Sequence, residues 1–160
     1  MGGERSLTMI STDKIKFIAK ATIAHIVTYI FCGVVAMTLF QYYDHVETIG
    51  MKSADEINIL FMLFGQFVRG VLFGIVIWWI RDSIIGKKLA WLKLWAILVI
   101  IGIIGVYAPA PGSIEGIIYL APGSGSESLP LSFVLGSMAE IMVQPLLFSI
   151  IVTYQRKRVS

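Results

Sequence analysis

Residues 57–80 read INILFMLFGQFVRGVLFGIVIWWI, and this stretch decides the fold. Its 24 residues are apolar apart from Asn58, Gln66 and Arg69. As a helix rising ~1.5 Å per residue it would extend ~36 Å, which exceeds the ~30 Å hydrocarbon core of a bilayer. The sequence therefore predicts a transmembrane helix here.

The composition of the whole chain agrees with a membrane protein. Of its 160 residues 57% are hydrophobic and only 14% are charged, which predicts one integral membrane domain over residues 1–160. The net charge of +3 comes from cations beside the apolar segments, a distribution typical of membrane topology and not of nucleic-acid binding. Cys32 is the only cysteine in the sequence, which excludes an internal disulfide and two-cysteine redox motifs.

Three further segments have the apolar length of membrane spans. The predicted spans are TM1 at about residues 15–41, TM2 at 57–80, TM3 at 89–107 and TM4 at 131–154. A short polar lead, residues 1–13, precedes TM1. The loop between TM3 and TM4 holds four of the five prolines and no basic residue. The predicted fold is an all-α four-transmembrane-helix bundle with a Pro/Gly-rich loop before its last helix.

The basic residues predict the orientation of the bundle. Eleven of the 13 lysines and arginines lie in the N-terminal flank, around the second loop or in the C-terminal tail. The first and third loops hold only Lys52, together with six of the ten acidic residues. Because cytoplasmic segments are enriched in lysine and arginine, both termini are predicted to be cytoplasmic and the third loop extracytoplasmic. The expected location is the cell membrane, with the lipid bilayer as surroundings.

Arg69 is the residue that needs explanation. It lies twelve residues before Arg81, and so ~18 Å from the membrane edge that Arg81 marks. A guanidinium does not lose its proton in proteins, and a charge at this depth is costly without an anion or water. Glu140 is the only carboxylate in any predicted span, so it is the expected partner of Arg69.

Small and polar residues share one face on three of the predicted helices, at 100° per residue. They are Gly65, Gln66, Arg69, Gly70 and Gly74 on TM2, Ser137, Glu140 and Gln144 on TM4, and His25, Thr28 and Tyr29 on TM1. The candidates for a substrate or ion path are Arg69, Glu140, Gln66, Gln144 and His25, with Thr28, Tyr29 and Ser137 as secondary members. TM3 is predicted to be a packing helix. The Gly70-xxx-Gly74 pair is typical of close helix contact.

Two weaker features complete the set. Phe73-Gly-Ile-Val followed by Arg81 aligns on Phe148-Ser-Ile-Ile followed by Arg156 at an offset of 75 residues, which suggests an internal duplication or a chance match. In the third loop, Glu115 would attract cations to the outer face, unless the loop is simply solvated. Its apolar IIYL at 117–120 predicts a segment that folds back onto the membrane surface.

The motifs of common enzymes and metalloproteins are missing from the sequence. His25 and His45 are the only histidines, which argues against a metal or haem site. The sequence contains no phosphate-binding glycine motif ending in lysine, no HExxH and no GxSxG. No catalytic residue and no cofactor is therefore predicted.

Two classes of function remain, and a third is less favoured. The first is an oligomeric channel or transporter, with the polar residues lining a path between subunits. The second is a membrane-embedded accessory or structural protein, in which the same residues hold helices together and a partner membrane protein binds elsewhere. The third is a membrane enzyme in which Arg69 holds an anionic lipid-like substrate.

Overall fold

The computed structural model describes residues 2–40, 58–104 and 131–154. They form four helices, with no strand in these ranges: α1 (Gly2–Phe40), α2 (Ile59–Ile84), α3 (Ala90–Val99) and α4 (Leu131–Thr153). A π-helical segment, Ile100–Ile104, continues α3. The all-α class and the order of four helices are confirmed.

The beginning of α1 corrects one expectation. The polar lead is helical from Gly2 onward and continues into the apolar part of the same helix. Residues 2–13 contain no proline and include the good helix formers Glu4, Arg5, Leu7 and Met9. Because adding residues to an existing helix is far easier than nucleating one, the long apolar helix extends through this segment.

The boundaries of α2 follow from local chemistry. Asn58 caps its first turn, since the side-chain oxygen accepts a hydrogen bond from the Phe61 backbone N–H at 3.1 Å. After Ile84 the chain turns at Gly86, whose φ of 77° is a conformation that glycine adopts readily. α3 then begins at Ala90, so residues 85–89 connect the two helices.

Two glycines of α2 set its contact with α1. A Cβ on Gly70 would lie 2.9 Å from the Thr22 Cα, and one on Gly74 would lie 3.0 Å from the Ile18 Cα. The two helices are therefore antiparallel and in backbone contact. The close approach expected of Gly70-xxx-Gly74 is confirmed.

α1 is the central helix, because it packs against both α2 and α4, while α3 packs mainly against α4. α4 is antiparallel to α1: Gly136 lies against Phe40 at one end, and Lys20 reaches Val152 at the other. The Lys20 Nζ donates to the carbonyls of Val152 at 3.2 Å and Tyr154 at 3.0 Å, which pairs the free carbonyls at the end of α4. The apolar core comprises Ala21, Ala24, Ile77, Ile84, Ala90, Leu94, Phe148 and Val152.

Two of the helices are long and apolar enough to cross a bilayer. They are the 29 residues of Thr12–Phe40 and the 26 residues of Ile59–Ile84. The described parts of the other two predicted spans give shorter apolar helices, Ala90–Ile103 and Met138–Thr153. Large apolar side chains lie on the outside, such as Leu60 at 78% and Phe61 at 77% exposure.

Replacing Gly70 by alanine tests the helix contact, with Gly65→Ala as the matched control. The new Cβ of Gly70→Ala meets the α1 backbone, so the free energy of unfolding should fall by ~1–3 kcal/mol. At Gly65 no atom lies within 4 Å of the added Cβ, so stability should stay constant or rise slightly. Unfolding in mixed micelles, titrated with dodecyl sulfate and followed by circular dichroism, measures both. Equal stabilities of the two variants would contradict the contact.

Candidate functional site

A buried imidazole lies at the meeting point of three helices. His25 on α1 is only 1% exposed. Its Nε2 is hydrogen-bonded to Oε1 of Gln66 on α2 at 3.0 Å, and its Nδ1 to Nε2 of Gln144 on α4 at 3.3 Å. One side chain therefore joins α1, α2 and α4.

These partners specify a neutral histidine. The Gln144 amide nitrogen only donates, so the Nδ1 of His25 must accept and its Nε2–H must donate to Gln66. The same Gln144 nitrogen donates to the Thr28 hydroxyl at 3.4 Å, and that hydroxyl donates to the Ala24 carbonyl at 2.8 Å. We call His25, Gln66, Gln144 and Thr28 the His25 network.

Aromatic rings enclose the imidazole. Phe73 of α2 and Phe148 of α4 meet it edge-on, with ring centroids 5.2 Å and 6.0 Å away, and Tyr29 lies 6.2 Å away. Neither phenylalanine is among the site residues that the sequence predicts. The 75-residue offset between Phe73 and Phe148 was the signal that pointed to them, since both rings pack on the same histidine from parallel helices.

The expected Arg69–Glu140 ion pair is not formed. Within the described ranges the only ion pair joins Arg81 to its neighbour Asp82, at 3.3 Å. Arg69 is exposed, and its guanidinium carbon lies 5.4 Å from the centroid of the Phe73 ring. Gly65, on the same side of α2, is also exposed, so these two residues do not face protein as the helical periodicity suggested.

The helix register explains why the pair does not form. Gly70, next to Arg69, lies against Thr22, whereas Oε1 of Glu140 is 3.6 Å from where a Cβ on Gly33 would stand. The backbone positions of Arg69 and Glu140 are thus offset along α1 by about ten residues, or ~15 Å. Depth counted from the membrane edge at Arg81 does not capture this offset. The contacts of α2 and α4 with α1 determine the register between the helices.

Glu140 occupies its own position beside α1. Its half-buried carboxyl group lies against Gly33 of α1. Tyr29 lies on α1 between the levels of Arg69 and Glu140, since Gly70 packs against Thr22 and Glu140 lies beside Gly33.

The other predicted site residues have varied outcomes. Thr28 belongs to the His25 network. Ser137 lies on α4, but its side chain is outside what the structure describes, and so are Glu115 and the 117–120 segment. Among the described residues no group of three or more His, Cys, Asp or Glu side chains could hold a metal ion.

A second polar contact joins α3 to α4. Trp95 donates its indole N–H to the Met142 carbonyl at 3.0 Å. This contact lies close to Pro145, which has no N–H and leaves the Ile141 carbonyl without its helical donor. A tryptophan in an apolar segment needs an acceptor for its N–H, and that need was the available signal.

The comparisons with known proteins identify no relative. No family model, curated protein or solved structure matches this chain. Its function must therefore be argued from the chemistry of its own residues. Those residues fall into two groups: the His25 network, whose members bond to one another, and Arg69 and Glu140, whose charges are not paired with each other.

Replacing His25 by leucine tests the network. The amides of Gln66 and Gln144 would lose their common partner inside an apolar bundle, so the free energy of unfolding should fall by ~1–3 kcal/mol. Thr38→Val is the matched control, because the Thr38 hydroxyl bonds only to the Val34 carbonyl of its own helix and is exposed. The same dodecyl sulfate titration measures both variants.

The triple variant His25→Leu, Gln66→Leu, Gln144→Leu provides the second arm. Because no polar group is then left unpaired, much of the lost stability should return. A His25→Leu protein as stable as the wild type, or a triple variant weaker than His25→Leu alone, would show that the network does not hold the helices together.

Proposed function

We propose that the chain is a multi-pass protein of the cell membrane with both termini in the cytoplasm. α2 supports this proposal, because successive turns leave large apolar side chains exposed: Phe61 at 77%, Phe64 at 63%, Leu72 at 56% and Trp79 at 72%. An apolar face of this extent is unfavourable in water, whereas lipid solvates it. The excess of basic residues at the termini and the second loop supports the orientation.

We infer that its role is that of a membrane-embedded accessory protein that assembles with another membrane protein. The observation that supports this role is the contrast between the hydrogen-bonded polar residues and Arg69. His25, Gln66 and Gln144 bond to one another across three helices, as packing residues do. Arg69 instead remains exposed at the middle of an apolar helix, where a charge requires a partner.

A channel or transporter is the second candidate. It is favoured by the order of polar groups beside α1: Arg69 lies near the level of Thr22, His25 and Tyr29 follow, and Glu140 lies beside Gly33. Four helices alone rarely enclose a conduit, so a path of this kind would lie between subunits of an oligomer. No contact in the described helices favours the enzyme class over these two.

Flux measurements in proteoliposomes separate the two candidates. Wild-type protein and Glu140→Gln are reconstituted, after both are checked as monodisperse by size-exclusion chromatography. The accessory role predicts proton and ion flux equal to that of protein-free vesicles for both proteins. Flux through the wild type that Glu140→Gln abolishes would establish the transporter instead.

Cysteine labelling tests the orientation. In a Cys32→Ser background, single cysteines are introduced as Ser6→Cys, Ser124→Cys and Ser160→Cys. A membrane-impermeant maleimide applied to intact cells should label only the Ser124→Cys protein, and should label the other two after permeabilisation. Labelling of either terminus in intact cells would overturn the proposed topology.

A further inference from the structure

We propose that the exposed face of α2 around Arg69 binds a transmembrane helix of a partner protein that carries an aspartate or glutamate at the depth of Arg69. The proposal rests on the accessory role and names the kind of partner. We call this surface the Arg69 face; it comprises Phe61, Gly65, Arg69, Leu72 and Val76, which are all exposed. At 100° per residue these five residues fall within an arc of ~80° on one side of α2.

The charge of Arg69 specifies an anion. A guanidinium stays protonated in any protein environment, and at this depth water is scarce. Within the described helices the Phe73 ring lies 5.4 Å from the guanidinium carbon and offers a weak attraction to one side of the group. A carboxylate matches the guanidinium fork with two parallel hydrogen bonds.

The shape beside Arg69 fits a helix. Gly65 lies one turn away on the same face, and a Cβ added there would meet no atom within 4 Å. Small residues let two transmembrane helices approach at the backbone, as Gly70 and Gly74 do within this chain. On α2, Gly70 and Gly74 are thus covered by α1, whereas Gly65 is open and lies one turn from Arg69.

The described helices of a second copy place no carboxylate level with Arg69. The backbone of Glu140 is offset from that of Arg69 by about ten residues, ~15 Å, along α1. Copies inserted in the same orientation hold each residue at the same depth, so the offset persists between subunits. The other carboxylates of the described ranges lie nine or more residues along the helices from the level of Arg69: Glu4 and Asp13 precede Thr22 on α1, and Asp82 follows Arg69 on α2.

Lipid phosphate is also too far away. Arg69 lies ten residues from Ile59 and fifteen from Ile84, which is ~15 Å and ~22 Å along the helix. Phosphate groups lie outside the ~30 Å hydrocarbon core, beyond the reach of one arginine side chain from this position. A carboxylate on a neighbouring transmembrane helix lies at the right depth.

The test uses the full chain, donor-labelled, in phosphatidylcholine vesicles. The probes are acceptor-labelled leucine-rich transmembrane peptides that carry one central aspartate, or leucine in its place. Energy transfer should report about tenfold tighter association of the aspartate peptide with the wild type. Arg69→Gln should remove this advantage, whereas Arg81→Gln should keep it, since Arg81 stacks on Trp78 at the helix end.

Two further variants test the shape of the surface. Gly65→Leu should weaken association of the aspartate peptide by blocking backbone approach. Gly102→Leu is the matched control, because Gly102 also has no atom within 4 Å of an added Cβ but lies beyond α3. A peptide with its aspartate moved by two helical turns, ~11 Å, should lose the advantage, because it no longer meets Arg69.

Several results would overturn the proposal. These are equal association of the aspartate and leucine peptides with the wild type, or an advantage that survives in Arg69→Gln. Self-association of the wild type that Arg69→Gln abolishes would make a second copy the occupant. Loss of the advantage when phosphatidylglycerol replaces phosphatidylcholine would make an anionic lipid headgroup the occupant. The accessory role itself fails only if the flux measurements detect transport, so the two failures are distinguishable.

Discussion

A histidine inside an apolar bundle must have both ring nitrogens paired, and the arrangement of α1, α2 and α4 meets this requirement. Gln66 belongs to α2 and Gln144 belongs to α4, so both helices are needed to pair the two ring nitrogens of His25. Each amide pairs one nitrogen, and the rings of Phe73 and Phe148 close the remaining sides. The imidazole thus fixes which faces of the three helices meet.

Glycine contacts fix how far the helices slide along one another. The backbones of α1 and α2 touch at Gly70 and Gly74, and a shift by one helical turn would place Gln66 against Thr22 in one direction or Trp78 against Ile18 in the other. At the other interface, Gly136 accommodates Phe40 and Gly33 accommodates Glu140. Small residues at fixed positions therefore specify the register, while the polar network specifies the partners.

The sequence predicts the helices and most of the residues that face protein, because apolar length and the 100° periodicity are local properties. Gly70, Gly74, His25, Thr28 and Gln144 all face protein as the periodicity predicts. The Arg69–Glu140 contact could not be predicted in the same way. Depth counted from flanking basic residues ignores the register between helices, which depends on side-chain shapes at contacts between distant parts of the chain. The contacts of Trp95 with Met142 and of Lys20 with Val152 depend on the same register, so the sequence does not predict them.

The contrast between His25 and Arg69 shows why polar residues in one span can differ in role. A neutral imidazole has one donor and one acceptor, so two amides are enough to satisfy it. A guanidinium has five donors and a permanent charge, and neutral amides cannot neutralise it. The guanidinium is therefore energetically unfavourable in an apolar helix unless a carboxylate or water lies beside it. In the described helices no carboxylate pairs with Arg69, and this difference from His25 is the reason that the proposed partner carries a carboxylate.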